Sequence, residues 1–102
     1  MAYENIIFQI DGEVAVIKFN RPKALNAINT DVVKELQGVL DEVEANPAIR
    51  VVVLTGEGDK AFVAGADIAQ MVKLDPLQLR DFSLALHEVG FRMEALPVPF
   101  IA

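Results

Sequence analysis

The sequence predicts an α/β layer fold with a helical crossover between two parallel strands. Two β-branched runs around an Asp-Gly pair predict a hairpin. A stretch with helical spacing of apolar residues follows, and then an apolar run without polar alternation, which is typical of a strand in a parallel sheet. A hairpin, a helix and a buried strand in this order indicate a βαβ crossover. The length of 102 residues predicts one domain.

The predicted hairpin joins a strand at residues 3–10 to a second strand at residues 13–19. Asp11-Gly12 lies between them, and a tight hairpin turn needs the positive φ that glycine adopts readily. Asn20-Arg21-Pro22 ends the second strand, because proline cannot donate to a sheet and favours an extended residue before it.

A helix is predicted to begin after a cap at Asn29 or Thr30 and to end at about Ala45, before Asn46-Pro47. Its apolar residues share one face at the helical period: Val32, Val33, Leu36, Val39, Leu40 and Val43. Ile49 and the run Val51–Leu54 then predict a strand buried on both faces.

The segment Thr55–Ala66 is glycine-rich and is predicted to be a loop. Asp67-Ile68 is expected to open a short helical turn that ends near Val72. Three glycines lie in this loop, which leads directly into a helix start, where free N–H groups favour an anion. The sequence leaves two interpretations open: an anion-stabilising loop, or a plain surface loop capped by Asp67.

Asp75-Pro76 predicts the start of a long amphipathic helix that ends at about Ala95. The apolar segment 97–102 indicates the first residues of another buried strand. The far edge of Val51–Leu54 is expected to lack a neighbour in this chain, which would expose an unpaired strand edge.

The composition of the chain argues against several classes of function. With 53% hydrophobic and 24% charged residues the chain is predicted to fold, and its net charge of −6 argues against nucleic-acid binding. The absence of cysteine excludes thiolate nucleophiles and cysteine-based metal sites, and a single histidine, His87, makes no cluster, so no metal site is expected. No membrane-spanning run or signal peptide is recognised, so a soluble, cytoplasmic protein is predicted.

Known phosphate-binding patterns do not match the loop. No Gly-Lys-Ser/Thr follows it, and Ala61 stands where the third glycine of a dinucleotide-binding motif would be. The nearby charged residues remain open to two interpretations, as site groups or as solvated surface charges. They are the cations Arg21, Lys23 and Lys60 and the carboxylates Glu57, Asp59 and Asp67.

Two longer motifs carry a family resemblance. Residues 20–27 (NRPKALNA) and 60–68 (KAFVAGADI) closely resemble the N-terminal signatures of the enoyl-CoA hydratase/isomerase (crotonase) superfamily. The runs 51–56 (VVVLTG) and 97–102 (PVPFIA) fit the same family, so the resemblance covers essentially the whole chain.

The resemblance implies the crotonase (ClpP-like) spiral of ββα units, with residues 1–102 as the N-terminal part of a single domain, truncated at 102. It also implies a homotrimer or a hexamer built as a dimer of trimers. The implied activity is that of an enoyl-CoA hydratase, a lyase that adds water in syn fashion to trans-2-enoyl-CoA and gives 3-hydroxyacyl-CoA. The alternatives are an enoyl-CoA isomerase or a non-catalytic CoA-binding or assembly fragment. Fatty-acid β-oxidation or butyrate metabolism would be the setting.

The resemblance also assigns site residues. The backbone N–H of Ala66 would be one of two oxyanion donors to the thioester oxygen, and the second donor and two catalytic glutamates would follow position 102. Ala69 stands where relatives often have a basic residue, which leaves out one phosphate contact. The implied contacts to CoA are Lys23, Ala24 and Leu25 at the adenine, with the rest of that side lined by Ala64, Gly65, Ala66, Asp67 and Ile68. No cofactor is expected, since coenzyme A is part of the substrate, and the isolated chain is expected to be inactive.

Overall fold

A computed structural model describes residues 3–102 and contains one four-stranded sheet with helices packed against it. The strands lie in sequence order: β1 (Ile6–Asp11), β2 (Val14–Phe19), β3 (Val51–Gly56) and β4 (Phe100–Ile101). The helices are α1 (Thr30–Ala45), α2 (Ile68–Met71) and α3 (Pro76–Ala95). The predicted α/β class is therefore confirmed.

Strands β1 and β2 form the predicted antiparallel hairpin, but its turn lies one residue later than the Asp-Gly pair suggested. Asp11 pairs with Val14, so Gly12 and Glu13 are the two loop residues. Gly12 has φ of +62° and supplies the positive φ that the tight turn needs. The predicted first strand also begins too early, because Asn5 donates from its backbone and side chain to Glu35 on α1.

Strand β3 runs parallel to β2, and α1 forms the crossover between them, as predicted. Asn29 is the helix cap: its side chain accepts a hydrogen bond from the N–H of Val32. All six apolar residues of the predicted face are buried in the core that α1 shares with the sheet and α3: Val32, Val33, Leu36, Val39, Leu40 and Val43. The helical period therefore identified this part of the core correctly.

Strands β3 and β4 correct three expectations. Strand β4 runs parallel to β3, with Val52 opposite Phe100 and Val53 opposite Ile101, so the expected unpaired edge of β3 is paired at these residues. Burial of β3 on both faces holds only in part, because Val52 is fully buried while the other residues of the strand are half-buried. Strand β3 also continues through Thr55 and Gly56, which shortens the predicted loop.

Helix α3 begins with a capping box in which Asp75 and Gln78 bind each other's backbone N–H. It packs on α1 through Phe82 and Val89, and Arg92 bonds to α1 side chains. The short turn α2 is capped by Asp67, as expected. Within residues 3–102, none of the helices combines the length and apolar character needed to cross a membrane.

Tyr3 provides a test of how the N-terminal segment packs. Its hydroxyl donates to Glu42 on α1, and burial together with this carboxylate raises the pKa of Tyr3 to about 12. Since an unfolded tyrosine has a pKa near 10, the stabilisation associated with Tyr3 is present below pH 10 and is lost as the pH rises through about 12. Tyr3 is the sole tyrosine, so tyrosinate absorbance should report a midpoint of about 12 in buffer and about 10 in urea. A Glu42→Gln variant should lower the pKa of Tyr3 in the folded chain, but not as far as 10, because burial still raises it. Equal titration midpoints in buffer and in urea would contradict this packing of Tyr3.

Candidate functional site

The segment after β2 folds around a buried asparagine. A single 3₁₀ turn at Pro22–Ala24 is followed by Leu25 and Asn26, which both have left-handed backbone angles, with φ of 53° and 58°. Asparagine tolerates this region better than most residues. The side chain of Asn26 is buried, accepts from the N–H of Arg21 at 2.8 Å and donates to the carbonyls of Glu57 and Ala61. Asn26 therefore joins the segment after β2 to the loop after β3.

A short parallel bridge then aligns the two predicted motifs side by side. The N–H of Ala64 donates to Leu25 O at 3.0 Å, that of Ile28 to Gly65 O at 2.8 Å, and that of Asp67 to Ile28 O at 2.7 Å. These bonds use the groups on either side of Ala66, so the N–H of Ala66 points away from Ile28. It donates none of the hydrogen bonds formed among residues 3–102. The bridge thus presents one free, fixed N–H donor.

Asp67 caps α2 and is held from two sides. One carboxylate oxygen accepts the N–H of Gln70 at 3.2 Å, and the other accepts Arg21 Nη2 at 3.1 Å. The backbone hydrogen bond from Gln70, helped by Arg21, lowers the pKa of Asp67 below its usual value. The start of α2 is thus already occupied by its own carboxylate, and the free donor lies one residue earlier, at Ala66.

A cavity of about 300 Å³ opens beside the 3₁₀ turn. Lys23 and Leu25 line it from one side and Asp59 and Lys60 from the other. Leu25 is 46% exposed and presents an apolar side chain to the cavity. Glu57 also lines the cavity, which therefore combines two cations and two carboxylates with an exposed apolar side chain.

The structure brings most of the sequence-predicted residues to one edge of the sheet. The segment containing Lys23, Ala24 and Leu25 is bonded to the one containing Ala64, Gly65, Ala66, Asp67 and Ile68. Of the two interpretations left open for Arg21, the structure favours the site group, because the guanidinium binds both Asp67 and Ala27 O. Sequence reasoning missed Asn26, whose position in the NRPKALNA motif was its only signal.

The remaining candidate acids do not form a catalytic pair here. Glu57 lies 3.6 Å from Lys18, and Asp59 is exposed at the cavity rim. His87 lies on α3 and stacks on Phe91, away from this site. Over residues 3–102, the structure contains no group of three or more His, Cys, Asp or Glu side chains that could hold a metal ion.

Comparison with known proteins decides the family. The sequence profile described as Enoyl-CoA hydratase/isomerase matches residues 9–102. The chain belongs to this family. A short-chain-enoyl-CoA hydratase from Clostridium acetobutylicum is 44% identical over 102 residues, and a crotonyl-CoA hydratase from Syntrophomonas wolfei is 47% identical over 103 residues. Both alignments cover 100% of this chain but only 39% of the relative, so the chain spans about two-fifths of their length.

Solved structures of the family share the fold. The crystal structure of an enoyl-CoA hydratase from Bacillus anthracis superposes with a TM-score of 0.91 at 32% identity, over 95% of this chain and 38% of that protein. The resemblance inferred from the two motifs is thereby confirmed, and with it the crotonase fold of this N-terminal region.

Proposed function

We propose that the protein is an enoyl-CoA hydratase that adds water across the C2=C3 bond of a short trans-2-enoyl-CoA. As the nucleophile attacks C3, negative charge moves to the thioester oxygen. A fixed backbone donor stabilises this charge without reorganisation during the reaction. The observation that carries the proposal is the Ala66 N–H, which is free while the Gly65 carbonyl of the same peptide group and the N–H of Asp67 are both hydrogen-bonded to Ile28. The names of the 44% and 47% identical relatives point to the same reaction.

The CoA portion of the substrate would bind at the cavity beside the 3₁₀ turn. Lys23 and Lys60 would face the phosphates, and the exposed Leu25 would contact the adenine ring. Ala64 to Ile68 would line the path from there to the thioester. Coenzyme A enters with the substrate, so the proposal includes no separate cofactor.

The acid–base groups would come from the part of the family that this chain does not match. Two of the three candidate carboxylates are engaged by cations or a helix start: Asp67 with Arg21 and α2, and Glu57 with Lys18. We therefore expect the 102-residue chain to supply the CoA side and one oxyanion donor.

The proposal also includes the assembly and the setting: a trimer or hexamer in the cytoplasm that serves fatty-acid or butyrate metabolism. Sedimentation analysis tests the assembly.

The test is a hybrid enzyme in which this chain replaces the matching first part of the Syntrophomonas wolfei relative. We expect the hybrid to hydrate crotonyl-CoA, followed as loss of conjugated-enoyl absorbance, with 3-hydroxybutyryl-CoA identified by mass spectrometry. The isolated chain should show no turnover. The parent relative is the positive control.

Each contrary result has a distinct meaning. A folded hybrid that binds CoA but turns over neither crotonyl-CoA nor a 3-enoyl-CoA would favour a binding or assembly fragment. Migration of the double bond of a 3-enoyl-CoA without hydration would favour an isomerase. Turnover by the isolated chain would contradict the assignment of the acids and direct attention to Glu57, Asp59 and Asp67.

A further inference from the structure

We infer that Arg21 is a positioning residue for the oxyanion donor, acting through two hydrogen-bonded peptide groups that end at the Ala66 N–H. Its catalytic consequence rests on the proposed function, whereas the relay itself is a property of the free chain. Arg21 touches no substrate in this proposal. It orients and polarises the Ala66 N–H, which contacts the thioester oxygen of the substrate.

The first step of the relay begins at the guanidinium. Arg21 Nη1 donates to Ala27 O at 2.5 Å. The carbonyl of Ala27 and the N–H of Ile28 belong to one peptide group, so a cation at the oxygen draws electrons from the nitrogen. The N–H of Ile28 thereby becomes a stronger donor.

The second step passes across the bridge between the two motifs. The N–H of Ile28 donates to Gly65 O at 2.8 Å. That carbonyl shares its peptide group with the N–H of Ala66, which lies on the opposite side of the planar unit. Polarisation from Arg21 thus ends at the free donor, and the same two bonds fix the direction in which it points.

The second arm of Arg21 holds the other side of Ala66. Nη2 lies 3.1 Å from Asp67 Oδ2, and the two side chains are only 20% and 17% exposed, so solvent screens this pair weakly. Asp67 N–H also donates to Ile28 O. Anchoring matters here because Gly65, with φ of +138°, leaves the backbone before Ala66 free to adopt many conformations.

The test compares Arg21→Gln with Arg21→Lys in the free chain and in the hybrid. In the ¹⁵N-labelled free chain, Arg21→Gln should move the Ala66 amide proton upfield and increase its motion, while β1 to β3 amides stay unchanged. Arg21→Lys keeps the charge and should restore most of the shift. Arg50→Gln is the matched control, since the exposed Arg50 side chain lies 3.8 Å from the equally exposed Glu13 carboxylate, and among residues 3–102 it forms no other ion pair.

In the hybrid, Arg21→Gln should lower kcat about tenfold with little change in KM, because a weakened donor costs less than a deleted one. The C=O stretch of bound crotonyl-CoA should rise in frequency. An unchanged Ala66 amide in a folded Arg21→Gln chain would overturn the relay. An Arg21→Gln hybrid that loses thermal stability and CoA affinity but keeps its kcat would also overturn the relay, because Arg21 would then have only a structural role. If the unmodified hybrid is inactive while the Ala66 amide responds, the proposed function fails and the relay stands.

Discussion

Replacing Ala66 with proline in the hybrid enzyme should lower kcat for crotonyl-CoA hydration by about 10²–10³-fold. Proline has no N–H, so the substitution deletes the oxyanion donor itself, and deletion of one such donor has an effect of about this size in other enzymes. The N–H of Ala66 donates no hydrogen bond within residues 3–102, so its loss should cost the free chain little stability. Steady-state kinetics and a thermal melt measure the two effects separately.

Ala66→Gly is the matched control for this experiment. It retains the N–H and removes only a partly buried methyl group, so kcat should fall by far less than in the proline variant. A folded Ala66→Pro hybrid with nearly full kcat would contradict the assignment of Ala66 as an oxyanion donor. If the Ala66→Pro variant unfolds, the N–H of Ala66 is removed instead by semisynthesis, with an ester in place of the amide between Gly65 and residue 66.

Replacing Gly56 with alanine should lower the free energy of unfolding by about 3 kcal/mol, because the added atom meets groups that cannot move aside. A Cβ there would lie 2.5 Å from Phe62 O and 2.7 Å from both Ala61 O and Asn26 Nδ2. Two of these atoms are backbone, and the third belongs to the buried asparagine that joins the two loops. Relieving the contact would therefore disturb the site as well as the core. Urea denaturation followed by circular dichroism measures the loss.

Gly90→Ala provides the opposite control. A Cβ at Gly90 meets nothing within 4 Å, and the residue lies inside α3. Alanine should therefore raise the free energy of unfolding by about 0.5–1 kcal/mol. A Gly56→Ala chain that unfolds at the same urea concentration as the Gly90→Ala chain would show that the loop carrying Phe62 yields to the added methyl group.

Local features of the fold were predictable, and one long-range pairing was not. Helix α1 follows from its cap at Asn29 and the helical spacing of its apolar face, both of which act within a few residues. The strand nature of residues 100–101 was also predicted. Its pairing with β3 was not, because parallel partners lie far apart in the sequence and nothing local encodes the register. The expectation of an unpaired β3 edge was therefore wrong at Val52 and Val53.

In the candidate site, too, local features were predictable from the sequence and long-range contacts were not. Glycines in the loop and the motif around Ala66 were visible in the sequence. The left-handed angles at Leu25 and Asn26 were not, because leucine rarely adopts them and only tertiary contacts stabilise them. In the sequence, Arg21 could not be distinguished from a surface cation, because its two partners, Ala27 O and Asp67, become visible only in the folded structure.

The bridge around Ala66 has a consequence for how the protein matures during synthesis. The contacts that set this donor come from residues 21–70, and none of them involves α3 or β4. Once this stretch has left the ribosome, the donor can adopt its final direction while the far edge of β3 still awaits its partner. Nascent chains halted after α2 should therefore already protect the Ile28 and Asp67 amides from hydrogen exchange, whereas the Val52 amide, which donates to Pro99 O, should gain protection only in longer chains.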